Sequence, residues 1–360
     1  MNATNTGKTL SGLNPADFRK EVNGKQTDLF VLTNKNGVEA CFTNYGANWV
    51  SMMVPDKEGK LVDVVLGHDN IDAYLSCSYQ FLGAVCGRYA NRIPDGKFTI
   101  DDVEYTLPVN NVVNTIHGGA GGFNAVVWDA EMIDPQTLAL TYVSPDADQG
   151  FPGTLTTTIL YTLTEENEIE INYTAQTDMP TIINLTSHVS FNLSGEDSPS
   201  CEDHLMKVNG WLYTPADKYM IPSGELRPVF NTPLDFTSEK PIGRDINQDF
   251  DSLHVGMGYD CTFIVDKKVF GEMAFAAKVR HPSNGRTLEV YTTEPCAHFY
   301  TGNSINDIKG KFGKIYPKRS AFCLEMQHAT NSCNIGHFPT TILREGDVYS
   351  QTTIFKFGVE

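Results

Sequence analysis

Apolar and polar side chains alternate along much of this 360-residue chain, and this two-residue period limits its possible folds more than any other feature. In segment 155–163, LTTTILYTL, large apolar residues occupy positions 155, 159, 161 and 163. Successive side chains of a β-strand point to opposite faces, so this spacing predicts a strand with one buried face. Segment 169–173 repeats the pattern after a Glu-Glu-Asn-Glu turn. The two segments are therefore expected to pair as a hairpin.

Similar alternating runs recur elsewhere, separated by turn sequences such as Asp-Lys-Glu-Gly, Ser-Asn-Gly and Arg-Glu-Gly. They cover residues 38–42, 138–143, 288–292 and 352–357. Helical periodicity is nearly absent, and short helices are expected only around 15–21 and 71–75. No long linker or fixed-period repeat interrupts the chain. We therefore predict an all-β protein with one domain over residues 1–360, built as a large antiparallel β-sandwich.

Composition and charge exclude several classes of partner. A hydrophobic content of 41% is enough for a sizeable core, whereas the formal net charge of -17 repels nucleic acid and anionic membranes. No apolar run is long enough to span a bilayer, and residues 1–8 lack the apolar core of a signal peptide. We expect a soluble cytoplasmic protein with no nucleic-acid or membrane partner, or a periplasmic one if a leader was removed.

The eight cysteines form no CxxC pair, and most lie in apolar runs. They are predicted to be buried thiols in a reducing compartment, although their even number leaves disulfides open. The sequence Gly118-Gly-Ala-Gly-Gly122 follows no βα unit, so we interpret it as a mobile or tightly turning loop rather than a phosphate cradle.

Three segments place polar groups next to short apolar flanks, as strand ends do when they line a cleft. Segments 87–93 and 114–119 bring Arg92 and His117, which can donate hydrogen bonds to sugar oxygens without supplying a nucleophile. Segment 184–195 contains His188, whose imidazole suits proton delivery near neutral pH. The open structural alternatives are a surface ion pair for Arg92, a turn for His117 and a core histidine for His188.

The third segment is 321–328, an otherwise apolar stretch that contains Glu325. Burying a carboxylate is costly unless it is paired or functional, and desolvation would raise its pKa toward that of a useful base. Asp260 is a further candidate, with a turn carboxylate as its structural alternative.

Metal and nucleophilic chemistry have less support in the sequence. His117, His188, His298 and His328 could gather around zinc, but no HxH, HExxH or Cys/His pair at ligand spacing occurs. No GxSxG nucleophile elbow or nucleotide-binding motif is present. We predict neither a metal nor a cofactor.

An ordered series of motifs runs through the chain. It comprises Asn44-Tyr-Gly-Ala, Val54-Pro-Asp, Gly87-Arg-x-Ala-Asn-Arg-Ile93, Ile116-His-Gly-Gly119, Asn184-Leu-Thr-x-His188, Thr232-Pro-Leu-Asp-Phe236, Thr293-Glu-Pro295, Phe299-Tyr-Thr-Gly-Asn303 and Cys323-Leu-Glu-x-Gln-His328. In this order they resemble the aldose 1-epimerase (galactose mutarotase) family over roughly residues 10–358. No single motif would suffice, but the succession is specific.

The resemblance implies a galactose mutarotase-like supersandwich with its sugar site in an open cleft. It also implies a cofactor-free mechanism that interconverts the α and β anomers of a free aldose. Glu325 matches the family's general base and His188 its general acid. The residues expected to bind the sugar are Asn91, Arg92, His117, Asp260 and His298.

Four departures from the family motifs are expected to change the pocket. Ser187-His-Val-Ser190 replaces Asn-His-Ser-Tyr, His298 replaces a glutamine, Met326-Gln327 replaces Thr-Gln, and residues 329–331 differ as well. The sugar therefore stays open between galactose, glucose, xylose, arabinose and a short oligosaccharide.

Two other functions remain as alternatives. The altered pocket would suit a catalytically silent carbohydrate-binding protein on the same fold. A glycosidase or lyase sandwich would need two paired carboxylates, for which Glu325 and Asp260 could be mistaken. The expected partner is a small sugar, and the expected assembly is a monomer or weak homodimer.

Overall fold

The computed structural model describes residues 7–360, and most of its regular structure is β-strand. The prediction that residues 1–8 lack a signal-peptide core falls mostly on residues 1–6, which lie outside the described residues. The largest sheet, here called the large sheet, has nine antiparallel strands. In spatial order they are Asp129–Asp134, Thr137–Ser144, Leu155–Leu163, Glu168–Thr177, Tyr349–Val359, Arg286–Thr292, Ala274–Arg280, Leu205–Val208 and Lys240–Pro241.

Two smaller antiparallel sheets accompany it. The site sheet has five strands, which are Arg227–Pro228, Leu212–Thr214, Asp260–Ile264, Cys296–Tyr300 and Cys323–Gln327. The N-terminal sheet has four strands, which are Leu29–Thr33, Glu39–Thr43, Asn48–Pro55 and Leu61–Asp63. The prediction of an all-β fold with large antiparallel sheets is confirmed.

Short strand pairs and helices complete the described part of the chain. The pairs are Glu21–Val22 with Lys25–Gln26, Val85–Cys86 with Thr186–Ser187, Arg92–Ile93 with Thr115–Ile116, Lys97–Ile100 with Val103–Thr106, Thr181–Ile182 with Ile342–Leu343, and Ile308–Lys309 with Ile315–Tyr316. The α-helices are Ile71–Ser76 and Asp251–Gly256. The 3-10 helices are Pro15–Phe18, Pro94–Gly96, Phe123–Ala125, Asp148–Gly150, Ile242–Arg244, Lys311–Gly313 and Ser332–Asn334.

The predicted hairpin lies at the centre of the large sheet. Leu155–Leu163 pairs with Glu168–Thr177, and Leu163 lies opposite Ile169. The first of these strands buries every second residue completely, as its alternation predicts. The N-terminal sheet covers this buried face, because Phe42 stacks on Tyr161 with ring centroids 4.4 Å apart. The sandwich core is therefore formed where these two sheets meet.

The predicted helices are found, with differences in length and type. The helix expected around 15–21 is the 3-10 turn Pro15–Phe18, because the chain turns extended at Arg19. The helix expected around 71–75 is Ile71–Ser76, where the Asn70 side chain accepts the N–H of Ala73. The helix Asp251–Gly256 was not predicted, and unlike Ile71–Ser76 it has no side-chain cap hydrogen bond at its N-terminus. No helix among the described residues has the length and apolarity needed to cross a membrane.

All eight cysteines lie within residues 7–360 and are free thiols, six of them buried. The glycine-rich stretch forms a tight turn. Gly118 has φ +85, and a Cβ at this position would lie 1.9 Å from the carbonyl oxygen of Gly87. Glycine is therefore required where this turn packs against segment 87–93.

Candidate active site

One face of the site sheet carries one group of the polar side chains of the site. Asp260, Tyr300 and Cys323 lie opposite one another across its three neighbouring strands. Two residues along, Thr262, His298 and Glu325 form a second cross-strand row. Paired residues in a sheet share a face, so the two rows lie side by side. The intervening residues, which include Phe299 and Leu324, face the opposite way into the core.

His188 is brought to this face by the strand Thr186–Ser187. Its backbone N–H donates to Ala84 O at 2.8 Å, which joins it to the segment before Val85–Cys86. His188 Nε2 lies 3.6 Å from Glu325 Oε1, and the two side chains are 6% and 2% exposed. On the other edge of the ring, Nδ1 lies 3.5 Å from Cys323 Sγ. The imidazole therefore lies between a carboxylate and a thiol.

The two groups of this pair favour opposite protonation states, an imidazolium at His188 and a carboxylate at Glu325. Burial by itself would lower the pKa of His188, but the facing Glu325 carboxylate and the contacts with Cys323 together outweigh it and raise that pKa to about 10. Glu325 Oε2 is buried and has no hydrogen-bond partner. A buried carboxylate oxygen without a partner is costly, so it is expected at a position where a ligand supplies the missing donor.

Arg92 and Asn91 come from the two-stranded unit Arg92–Ile93 with Thr115–Ile116. At its end the backbone N–H of His117 donates to Asn91 O, and the N–H of Asn91 donates to His117 Nδ1 at 3.2 Å. The proton of the neutral His117 ring is therefore on Nε2, which makes that nitrogen a donor. Burial, with help from the nearby His188 and Arg92, holds the pKa of His117 well below its usual range.

Asp260 and His298 form the third part of the site. His298 Nε2 lies 2.8 Å from Asp260 Oδ1, and His298 Nδ1 lies 2.8 Å from Thr262 Oγ1. Burial raises the pKa of Asp260, but the hydrogen bond from His298 and the positive charges around the carboxylate together outweigh it and bring that pKa below the usual value. The carboxylate is therefore held as an anion beside its histidine partner.

These groups surround one open cavity of about 340 Å³. All seven predicted site residues line it, namely Asn91, Arg92, His117, His188, Asp260, His298 and Glu325. Their individual roles toward a sugar remain predictions. The volume lies within the range typical of small-molecule sites.

Sequence reasoning missed the residues that form the rest of the wall. They are chiefly Tyr79, Gln80, Phe81, Asn110, Asn111 and Tyr300. The Phe81 ring lies 4.7 Å from that of His117 and 5.9 Å from that of His188, between centroids. Tyr300 stands in a motif that the sequence does contain, and its period-two spacing from His298 could have identified it. The loop with Phe81 has no periodic signal.

Of the four departures from the family motifs, only His298 lines the cavity. Met326 packs in the core because it alternates with Glu325 along its strand. Ser190 is also buried, and its Oγ lies 3.5 Å from Cys323 Sγ, so it reaches His188 only through that thiol. The expectation that all four departures alter the pocket surface is wrong.

Within residues 7–360, two clusters have the spacing of metal ligands, but their hydrogen bonds argue against a metal. His117, His188 and Glu325 place ligand atoms within 4.8 Å of one another. His117 Nε2 carries the proton, however, and so has no lone pair for a metal. In the second cluster, Asp203, His204 and His281, the N–H of Leu193 donates to His204 Nε2, which leaves the proton on Nδ1 facing Asp203.

The site is therefore of the acid–base class: a buried imidazole faces a carboxylate in an open polar cavity on a β-sandwich. The family model described as Aldose 1-epimerase matches residues 28–356. This chain belongs to that family.

Individual relatives agree with the assignment over most of the chain. The galactose mutarotase of Rattus norvegicus is 41% identical over 317 residues, 88% of this chain and 90% of that protein. The aldose 1-epimerase of Escherichia coli K12 is 34% identical over 339 residues, 94% and 97% of the two chains. The crystal structure of an aldose epimerase homologue from C. elegans matches with a TM-score of 0.85 at 28% identity, covering 92% of this chain and 99% of that one.

Proposed function

We propose that this chain is an aldose 1-epimerase that interconverts the α and β anomers of a free aldose, with His188 as general acid and Glu325 as general base. The observation that carries the proposal is the facing pair itself. His188 Nε2 and Glu325 Oε1 are 3.6 Å apart, and Glu325 Oε2 is left without a donor. The family and the galactose mutarotases among its relatives support this reaction for the chain.

Ring opening needs a base and an acid at the same moment. Glu325 takes the proton of the C1 hydroxyl, and the electrons of that O–H bond form the C1 carbonyl. The C1–O5 bond breaks, its electron pair moves to the ring oxygen, and His188 supplies the proton there. Because the pKa of His188 is raised to about 10, its imidazole is protonated at neutral pH.

Reclosure uses the same two groups in reversed roles. Rotation about the C1–C2 bond presents the other face of the aldehyde to the C5 hydroxyl. His188, now neutral, takes the proton of that hydroxyl, while protonated Glu325 returns a proton to the carbonyl oxygen. Both residues end in their starting states, so no external reagent is consumed.

The other polar residues of the cavity hold the sugar in this proposal. Arg92 and His117 present N–H donors, whereas Asp260 presents a carboxylate acceptor. Galactose is the first sugar to test, because relatives carry its name, and glucose, xylose and arabinose follow. A neutral sugar, a monomer or weak homodimer and a cytoplasmic location remain predictions.

The test is anomer exchange measured by proton NMR on freshly dissolved α-anomers. The wild-type protein should accelerate exchange, and His188→Gln and Glu325→Gln should each abolish most of the acceleration. The matched control is Glu294→Gln, since Glu294 also forms a buried pair with a histidine, 2.7 Å from His328 Nδ1, but does not line the cavity. Sugar binding by calorimetry without any exchange would instead indicate a silent binding protein.

A further inference from the structure

His298 lines the cavity, but neither of its ring nitrogens is free. Nδ1 lies 2.8 Å from Thr262 Oγ1, and Nε2 lies 2.8 Å from Asp260 Oδ1. To bind a sugar hydroxyl directly, the ring would have to give up one of these partners inside a site where its side chain is only 6% exposed. An imidazole with both nitrogens engaged is therefore built to hold its neighbours.

The sheet explains why these three residues meet. Thr262 and His298 are direct cross-strand partners, and Asp260 lies two residues from Thr262 on the same face. The His298 ring thus bridges diagonally from one neighbour to the other. Thr262 does not line the cavity, so it can influence a ligand only through His298.

The bridge leaves one oxygen of Asp260 for a ligand. Oδ1 accepts from His298, and among the described residues the Asp260 side chain makes no other hydrogen bond. The carboxylate lines the cavity, so Oδ2 is the acceptor it can offer to a sugar hydroxyl. Since the direction of Oδ2 follows that of Oδ1, the orientation of the imidazole sets the orientation of this acceptor.

We propose that His298 is a positioning and specificity-determining residue, which holds the Asp260 carboxylate so that Oδ2 accepts from one particular sugar hydroxyl. The inference rests on the proposed function, because it assigns the sugar contact to Asp260. It gives His298 an indirect role, in place of the direct sugar contact that its position in the sequence predicts. Sugars that differ at that hydroxyl should depend differently on His298.

The electrostatics agree with this arrangement. Burial lowers the pKa of His298, but the hydrogen bond to Asp260 and the negative charges of Asp260 and Glu325 together outweigh it and raise that pKa above the usual value. A charge-assisted hydrogen bond is shorter and stronger than a neutral one. The pair should therefore stay together while a sugar enters and leaves.

The experiment is a double-mutant cycle of His298→Ala and Asp260→Ala, read as kcat and KM for anomer exchange. His298→Ala should raise KM roughly ten- to hundredfold, because a hydrogen bond to a charged group is lost, and change kcat little. In the Asp260→Ala background, which has no acceptor at this position, the same substitution should have almost no further effect on KM. Additive effects in the cycle would overturn the proposal and indicate that His298 contacts the sugar itself.

A panel of monodeoxy sugars provides the second readout. For the deoxy sugar that lacks the hydroxyl bound by Asp260, His298→Ala should leave KM unchanged, whereas KM for the others should rise. Equal losses for every sugar would reveal a merely structural role and sink the idea. Thr262→Val should repeat the pattern more weakly, and His298→Gln should restore part of the loss because its amide can still donate to Asp260.

Failure of this inference is distinct from failure of the proposed function. If the wild-type protein does not accelerate anomer exchange, the same cycle is read in calorimetric dissociation constants for the sugars. Additivity in those constants would then count against His298, whatever the protein does to the bound sugar. Normal circular dichroism and unfolding midpoints of each variant show that the comparison is made between folded proteins.

Discussion

Two buried carboxylates of this protein differ in how completely their oxygens are hydrogen-bonded. Asp63 is the last residue of the strand Leu61–Asp63 in the N-terminal sheet, and its side chain is 10% exposed. Its Oδ1 accepts the N–H groups of Met52 and Val65, and its Oδ2 lies 2.6 Å from Lys311 Nζ. Glu325, only 2% exposed, faces His188 at 3.6 Å and keeps Oε2 without a partner.

The difference separates a structural charge from a working one. Every oxygen of Asp63 is satisfied, yet burial outweighs Lys311 and raises the pKa of Asp63 above its usual value. The ion pair therefore only partly offsets the desolvation of its charges. Glu325 has the His188 imidazolium near one oxygen, but its other oxygen, Oε2, has no donor and is open to a hydrogen bond from a ligand.

The largest expected effect comes from converting Glu325 to its neutral isostere. Glu325→Gln should lower kcat for anomer exchange by about 10²- to 10⁴-fold, the usual contribution of a positioned general base. The substitution removes a buried charge with an unsatisfied oxygen, but it also removes the partner of the His188 imidazolium, so the urea midpoint should change little. If Glu325→Gln instead kept its activity and unfolded more easily, Glu325 would have a structural role like that of Asp63.

The matched experiment on the structural pair should give the opposite result. Lys311→Met leaves Asp63 buried without its cation, and the free energy of unfolding should fall by about 3–5 kcal/mol in urea titrations. The kcat of the folded protein should stay near wild type, since neither residue lines the cavity. As a control, Lys97→Met removes an exposed pair with Glu104 and should hardly move the midpoint.

The pH dependence tests the coupling of His188 to Glu325. With the folded-state pKa raised from 6.5 to about 10, stability from the charged imidazole is complete below pH 6.5 and is lost as pH rises toward 10. Because His188 acts as the general acid, the activity should likewise decline on the alkaline side of the pH profile, near pH 10. In Glu325→Gln the carboxylate that raises the pKa of His188 most is lost, so that pKa should fall.

Histidine NMR titration measures this shift directly. His68 serves as the internal control, because burial lowers its pKa to about 4 at a position outside this cavity. The titration of His68 should be the same in the wild-type protein and in Glu325→Gln. A His188 signal that also titrates unchanged would break the assignment of the acid–base pair.

The smallest expected effect concerns the thiol beside His188. Cys323→Ala removes the contact of Sγ with Nδ1 at 3.5 Å, which is weaker than an ordinary hydrogen bond. We expect kcat to fall about fivefold at most, the equivalent of one net hydrogen bond. Cys323→Ser, which keeps a polar group there, should lose less. A thousandfold loss would instead make the thiol a member of the acid–base machinery.

Alternation along the chain was enough to predict the sheets and much of their pairing. The strand Leu155–Leu163 and its hairpin partner follow from period two alone, because the buried face repeats at every second residue. The six-residue helix Asp251–Gly256 was not predicted, because it lacks the side-chain cap that Asn70 gives the equally short helix Ile71–Ser76. Local periodicity thus predicts long elements well and short ones poorly.

The candidate site was predictable in its members but not in their contacts. Motif order identified seven of the polar residues that line the cavity. It did not identify Phe81, which comes from a loop without a repeating pattern, or place Met326 in the core. Sequence comparison shows which residues differ, but the direction in which each side chain points decides whether the difference reaches the ligand.

The sequence by itself determined the all-β class, the family and the residues available for acid–base chemistry, because periodicity and motif order are properties of the chain. Only the tertiary structure decided which of them meet. It brought His188 to Glu325 across distant segments, left one carboxylate oxygen open, and closed both nitrogens of His298 on Asp260 and Thr262. Such contacts depend on cross-strand register and side-chain direction, which packing of the whole sandwich fixes.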